Sequence, residues 1–251
     1  ALTVLEAAEL SKMLEEKSPA FVTVKFILKM EGGGDMMRMM GGDQEVEMTG
    51  TMVDPAGVVL VNSTEMGGFM SRFMRAGGPK ATPTDIKVLI GDDTVGIDGK
   101  IIARDSELDL TWVRVDKAPD KPYAFIDLSN NAKPKIGETI YTVSRMGKFF
   151  DRAPVVNESK VTGMTRKPRE LYFGGGSLMG GSNGLPSFNA EGKIVGIASL
   201  ILPDEDEMGS MGGGMFGGMR EMMAGAILPA EVVVQATARA KEAAPGEAEG
   251  K

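Results

Sequence analysis

The sequence predicts an all-β protein with one short helix at each end. Three observations carry that reading: nine short segments rich in branched residues, turn residues between them at close intervals, and helical periodicity confined to the two ends. The first element is a helix over Leu2 to Lys17. Leu2, Leu5, Leu10, Met13 and Leu14 share one face, Glu6, Glu9, Glu15 and Glu16 lie elsewhere, and Pro19 marks the end. The strand segments follow: FVTVKFILKM from Phe21, EVEMTGTMVD from Glu45, GVVLVNS from Gly57, DIKVLIG from Asp85, GKIIARD from Gly99, LDLTWVRVD from Leu108, ETIYTVS from Glu138, APVVNESKVTG from Ala153 and GKIVGIASLIL from Gly192. Turns such as D-P-A-G, G-D-D and A-E-G-K space them as in a sandwich or barrel rather than in alternating strand–helix units. Pro229 to Ala244 reads as the closing helix, and PGEAEGK (245–251) is small and charged enough to stay disordered.

Two stretches interrupt the pattern. Residues Glu31 to Gln44 and Pro203 to Gly225 are rich in glycine and methionine, with too few branched residues for a strand, and read as long surface loops.

Composition removes several classes of chemistry. The 251 residues hold 28 Lys plus Arg against 35 Asp plus Glu, a net charge of −7, which is the wrong sign for neutralising phosphates, so no nucleic-acid partner is expected. There is no histidine and no cysteine, which removes imidazole bases, thiolate nucleophiles, disulfides and nearly every zinc or cluster site. No run of 18 apolar residues occurs, so the chain is not expected to span a membrane. It starts at Ala1 rather than at a methionine, as after removal of an upstream secretory segment or, equally, as in a recombinant product, and an extracytoplasmic location, periplasmic or secreted, is expected.

The order of segments resembles the trypsin-like protease domain of the HtrA/Deg family. SPAFVTVKFIL is similar to the opening strand of that family, TGTMVDPAGVVLVNST to its G-x-G-x-x-x-D-x-x-G-x-I-L-T-N-x-H segment, and ARDSELDLTWVRVD to D-x-x-x-D-L-A-L-L-K-V. KPKIGETIYTVSRMGKFFDRAPVVNESKVTG, GSNGLPSFNAEGKIVGI and GAILPAEVVVQ resemble the later strands, the nucleophile turn and the closing strand and helix. The resemblance implies a chymotrypsin/trypsin-like double β-barrel. The N-terminal helix would occupy 1–17 and the two-barrel domain 18–244, divided as 18–117 and 118–244, with loops 31–44 and 203–225 beside the cleft and no PDZ module expected to follow.

Carried over position by position, the resemblance puts the nucleophile at Asn183, the histidine at Thr64 and the aspartate at Asp109, with Gly181, Ser182 and Gly184 forming the oxyanion turn and Leu185 replacing a second glycine. Only the aspartate retains the family's residue type. A serine protease needs a hydroxyl, an imidazole, a carboxylate and paired N–H donors. A slip of one residue would offer Ser182 as nucleophile, but still without an imidazole. The resemblance therefore implies a pseudoprotease that binds a polypeptide or partner subunit, with Thr64, Asp109 and Asn183 as a polar cluster in which a carboxylate accepts from a hydroxyl and an amide. A residual or unconventional serine-type endopeptidase is the alternative.

Thirteen of the 20 methionines lie in or beside the two loops. Met36, Met37, Met39, Met40, Met208, Met211, Met215 and Met219 permit two functional readings beside that of idle insertions: thioether binding of Cu(I), or an adaptable apolar contact surface. No other cofactor is expected. Met66, Met70 and Met74, four residues apart, read as the buried stripe of a helical turn after Thr64.

Overall fold

The computed structural model describes residues 4–31, 43–68, 80–167, 169–174, 182–200 and 226–242. Helix α1 (Val4–Lys17) leads through a 3-10 turn at Ser18–Ala20 into β1 (Phe21–Glu31), β2 (Gln44–Asp54), β3 (Val58–Asn62), β4 (Lys80–Leu89), β5 (Ile97–Asp105) and β6 (Leu110–Val115). These six form a closed antiparallel barrel in the order β1-β2-β3-β6-β5-β4. A second closed barrel, in the order β10-β11-β12-β9-β8-β7, is built from β7 (Thr139–Arg145), β8 (Pro154–Thr165), β9 (Leu171–Gly174), β10 (Pro186–Phe188), β11 (Ile194–Ser199) and β12 (Ala226–Pro229). Helix α2 (Ala230–Glu242) follows directly.

The apolar runs of the sequence belong to strands buried on both faces. In β3, Val59 and Val61 join Val22, Val24, Phe26, Val88 and Val113 inside the first barrel, while Val58 and Leu60 point the other way. That other face meets a core shared by both barrels and both helices, in which Leu60 and Trp112 pack with Leu185, Phe188, Leu228 and Val233. Alternation about a single strand thus supplies two cores at once.

The helices cross over. Met13 of α1, which precedes the first barrel, is buried in the shared core, and Lys17 holds its ammonium 5.3 Å over the ring of Phe188 in β10. Phe21 meets Phe188 edge to face at 6.5 Å, a pair worth about 0.5–1.5 kcal/mol beyond its buried area. Helix α2 leaves the second barrel and docks on the first: Ala230, Val233, Ala236, Thr237 and Ala240 form its buried stripe, and Trp112 Nε1–H donates to Thr237 Oγ1 at 3.0 Å. Lys241 pairs with Asp54 at the end of β2. Arg145 closes the junction with its guanidinium donating to the carbonyls of Phe21, Arg152 and Ser18.

Three strands depart from the sequence reading. β9 and β10, with four and three residues, are too short to display a period of two. β4 begins at Lys80, five residues before the apolar segment, because the Thr- and Pro-containing lead ladders onto β1 by main-chain pairing. Among the described residues no helix is long and apolar enough to cross a membrane.

Candidate functional site

β3 ends at Asn62, which is fully buried and organises the turn that follows. Its Oδ1 accepts the Glu65 main-chain N–H at 2.7 Å, and its side-chain amide donates to Glu65 Oε1 at 3.1 Å. The Asn62 side chain thus caps the turn Thr64–Gly68 in an N-x-x-E pattern, and the turn departs from helical geometry at Met66 and at Gly67, where φ is +90°. Within that turn Met66 is fully buried in the first barrel; Met70 and Met74 lie outside the described residues.

Asp109 stands just before β6, fully buried, at φ +57°, a left-handed conformation that aspartate tolerates better than most residues. Its carbonyl accepts the Ser63 N–H at 2.9 Å, and its Oδ1 accepts the Thr64 hydroxyl at 2.8 Å. Ser63 Oγ and Thr111 Oγ1 lie 2.7 Å apart in a buried hydrogen bond. From the second barrel, the buried hydroxyl of Ser199 in β11 donates to the Leu108 carbonyl at 2.7 Å, so the loop carrying Asp109 is held from both sides.

The turn before β10 brings Asn183 to this cluster. The Asn62 amide donates to the Asn183 main-chain carbonyl at 3.1 Å, a second direct link between the two barrels' contributions. Gly184 sits at φ +77°, and a Cβ there would fall 2.6 Å from the Asn62 nitrogen, so both the conformation and the close approach require glycine. Its N–H donates to the Ala198 carbonyl at 2.7 Å, and Leu185 N–H returns to Ser182 O at 3.1 Å. Leu185, at the position where the resemblance places a second glycine, is fully buried in the shared core.

Two groups in the cluster are electrostatically unusual. Asn183 Oδ1 is buried and has no hydrogen-bond partner among the described residues. Glu65 reaches solvent, but the protein around its carboxyl strips away enough water to raise its pKa above the usual carboxylate range, against the Asn62 amide, which acts to lower it.

Of the residues singled out in the sequence, Thr64 and Asp109 are thus in direct contact, while the Asn183 main chain is tied to Asn62, two residues before Thr64. Ser182 is half-buried in the same turn. Gly181 and the methionines at 36, 37, 39, 40, 208, 211, 215 and 219 lie outside the described residues. Among the described residues no lysine hydrogen-bonds Ser182, and no group of three carboxylates is arranged to hold a metal ion. Sequence reasoning passed over Asn62, Glu65 and Ser199. The N-x-x-E spacing signals the first two; Ser199 carries no local signal, because its partner is 91 residues away.

Two closed six-stranded antiparallel barrels with a polar cluster between them define the trypsin-like double barrel. The trypsin-like peptidase domain family matches residues 49–197, and the chain belongs to that family. In three dimensions it is similar to Deg5, at 16% identity over 93% of this chain and 94% of that one, with a TM-score of 0.61. It is similar too to a variant of the HtrA-type protease AlgW described with a decapeptide, at 14% identity over 93% of this chain and 67% of that one, again with a TM-score of 0.61. At these identities the likeness concerns the fold, which is the fold the HtrA/Deg resemblance implied. A search of curated proteins finds no match.

Proposed function

We propose that this chain uses the trypsin-like fold for binding rather than hydrolysis, as a pseudoprotease whose cleft holds an extended polypeptide segment. One observation supports the reading: Thr64, at the position where the resemblance puts the catalytic base, donates its hydroxyl to Asp109, in a sequence with no histidine. A threonine hydroxyl in that position is itself a donor and cannot withdraw a proton from a neighbouring nucleophile near neutral pH. At Asn183 the amide nitrogen lone pair is delocalised into the carbonyl, so the side chain supplies no nucleophile. Removal of either the serine or the histidine from such a triad costs about a million-fold in turnover. The turn at Asn183 is half-buried and its side-chain oxygen has no partner among the described residues; that oxygen is itself buried, so it accepts a main-chain N–H of a bound segment once the side chain turns outward. That a structural neighbour is described with a decapeptide supports a polypeptide as the ligand class.

The test uses one fluorescent, unfolded polypeptide as both ligand and substrate. Saturable binding without cleavage, and no covalent labelling of Ser182 or Ser187 by a serine-directed phosphonate, is the expected result. Mass-spectrometric labelling of either serine, or hydrolysis that the phosphonate stops, would overturn the proposal in favour of an unconventional endopeptidase.

A further inference from the structure

An opening lies in the wall of the first barrel. β4 and β5 are laddered to one another by only two residue pairs, Lys87 with Asp98 and Val88 with Ile97. Beyond those pairs, β4 from Lys80 to Thr84 is paired with β1 alone, and β5 from Gly99 to Asp105 with β6 alone. The strands part where Asp85 and Ile86 together stand opposite the single residue Phe26, a bulge in which Asp85 takes φ +52°. Pro83 sits in this stretch, and a proline is accommodated in a strand that has one open side. The opening is a groove of ≈ 680 Å³ lined by Pro83, Thr84, Asp85 and Ile86 on one bank and Gly99, Lys100, Ile101 and Ile102 on the other, with Arg114 and Asp116 at its margin.

Each bank is a strand edge on which alternate residues turn main-chain groups toward the gap, N–H and C=O together except at Pro83, which offers C=O alone. One extended segment between them satisfies both edges, running antiparallel to one and parallel to the other. Four residues of each bank span roughly 13 Å, the reach of a four- or five-residue extended chain. Ile86 is part of the first barrel's core and Ile101 packs against that core, so an apolar side chain entering between them continues it. The charges on the banks are partly matched: Lys100 pairs with Asp116, and Arg114 donates to the Lys241 carbonyl. Asp85 is exposed and has no ion pair among the described residues. Its charge selects a basic residue at that point of the ligand.

We infer that the gap between β4 and β5 is a strand-insertion site for a short extended peptide that carries an apolar residue toward Ile86 and Ile101 and a lysine or arginine beside Asp85. The site shares no lining residue with the cluster at Asn183, so it stands whether or not that cluster binds. The probe is the acetylated, amidated pentapeptide Val-Lys-Val-Thr-Val, titrated into the folded chain and followed by amide chemical-shift mapping. Saturable shifts at Ile86, Gly99, Ile101 and Ile102 are expected. A version N-methylated at alternate residues loses them, because it lacks half the main-chain donors. Asp85→Asn, which keeps a residue tolerant of positive φ, weakens the lysine peptide by about two- to fivefold, the range of a surface ion pair, and leaves a peptide with threonine in place of lysine unchanged. Shifts confined to Asn183 and its neighbours, or no saturable shift at millimolar peptide, would overturn the inference. Equal binding of the N-methylated peptide would overturn it too, by showing that main-chain pairing is not involved.

Discussion

The two walls of the site use similar polar residues but are held in different ways, one through side chains and the other through main chain. On the first-barrel side, Asn62 and Glu65 bond each other twice, Ser63 bonds Thr111, and Thr64 and Ser63 both bond Asp109. On the second-barrel side, the turn carrying Asn183 is anchored through its main chain, by Gly184 N–H to Ala198 and by the Asn183 carbonyl from Asn62, while the buried Asn183 Oδ1 has no partner among the described residues. Side chains that hydrogen-bond one another in a low-dielectric interior are rigid and contribute to stability, whereas a side chain positioned only through its main chain contributes less. The difference fits the proposed function, in which the aspartate wall serves folding and recognition falls to the wall carrying Asn183.

The largest expected effect breaks the wall held by side chains. Asp109→Ala removes the acceptor of the Thr64 hydroxyl, opens a cavity and puts alanine at a positive φ, so urea unfolding should show a loss of about 3 kcal/mol or more. Next comes the tie between the walls. Ser199→Ala leaves the buried Leu108 carbonyl without its donor, and Thr64→Val leaves Asp109 one donor short; each should lose about 1–2 kcal/mol, with Thr64→Ser close to the parent. If the opposite wall is the recognition wall, Asn183→Leu should change stability by less than about 0.5 kcal/mol, because it exchanges an unsatisfied carbonyl for apolar bulk, while weakening polypeptide binding in a fluorescence titration. A stability loss as large as that of Asp109→Ala would erase the contrast.

The smallest effect is in pH dependence. Because burial raises the Glu65 pKa on folding, the native state binds more protons between the unfolded and folded values, and stability falls as pH rises through that interval. Glu65→Gln should abolish that fall in melting curves taken from pH 4 upward. Asp54 carries the opposite sign. Burial opposes its charge, but the Lys241 ammonium, the Ala56 N–H and Arg114 outweigh it and lower its pKa, so its contribution is present above the unfolded value and is lost as pH falls through the folded one. Asp54→Asn should flatten the acid limb of the same curves and leave the limb governed by Glu65 in place.

How much of this was legible in the sequence depended on how local the cause is. The apolar alternation of Val22, Val24 and Phe26 specifies a strand by itself, because successive side chains point to opposite faces whatever lies beyond them. The 3.6-residue stripe of α2 is equally local, as is the N-x-x-E signal of the turn after β3. The absence of histidine is a fact of composition that no folding can change. The tertiary structure alone decided the rest: that Ser199 supports the Asp109 loop across the chain, that Gly184 must be glycine because Asn62 presses against it, that α1 and α2 each dock on the barrel to which they do not belong, and that β4 and β5 part at Asp85. Each of these depends on contacts between residues far apart in sequence or on how a whole ladder closes. Short-range pattern carries no record of such contacts, because the same local residues are compatible with many partners until packing selects one.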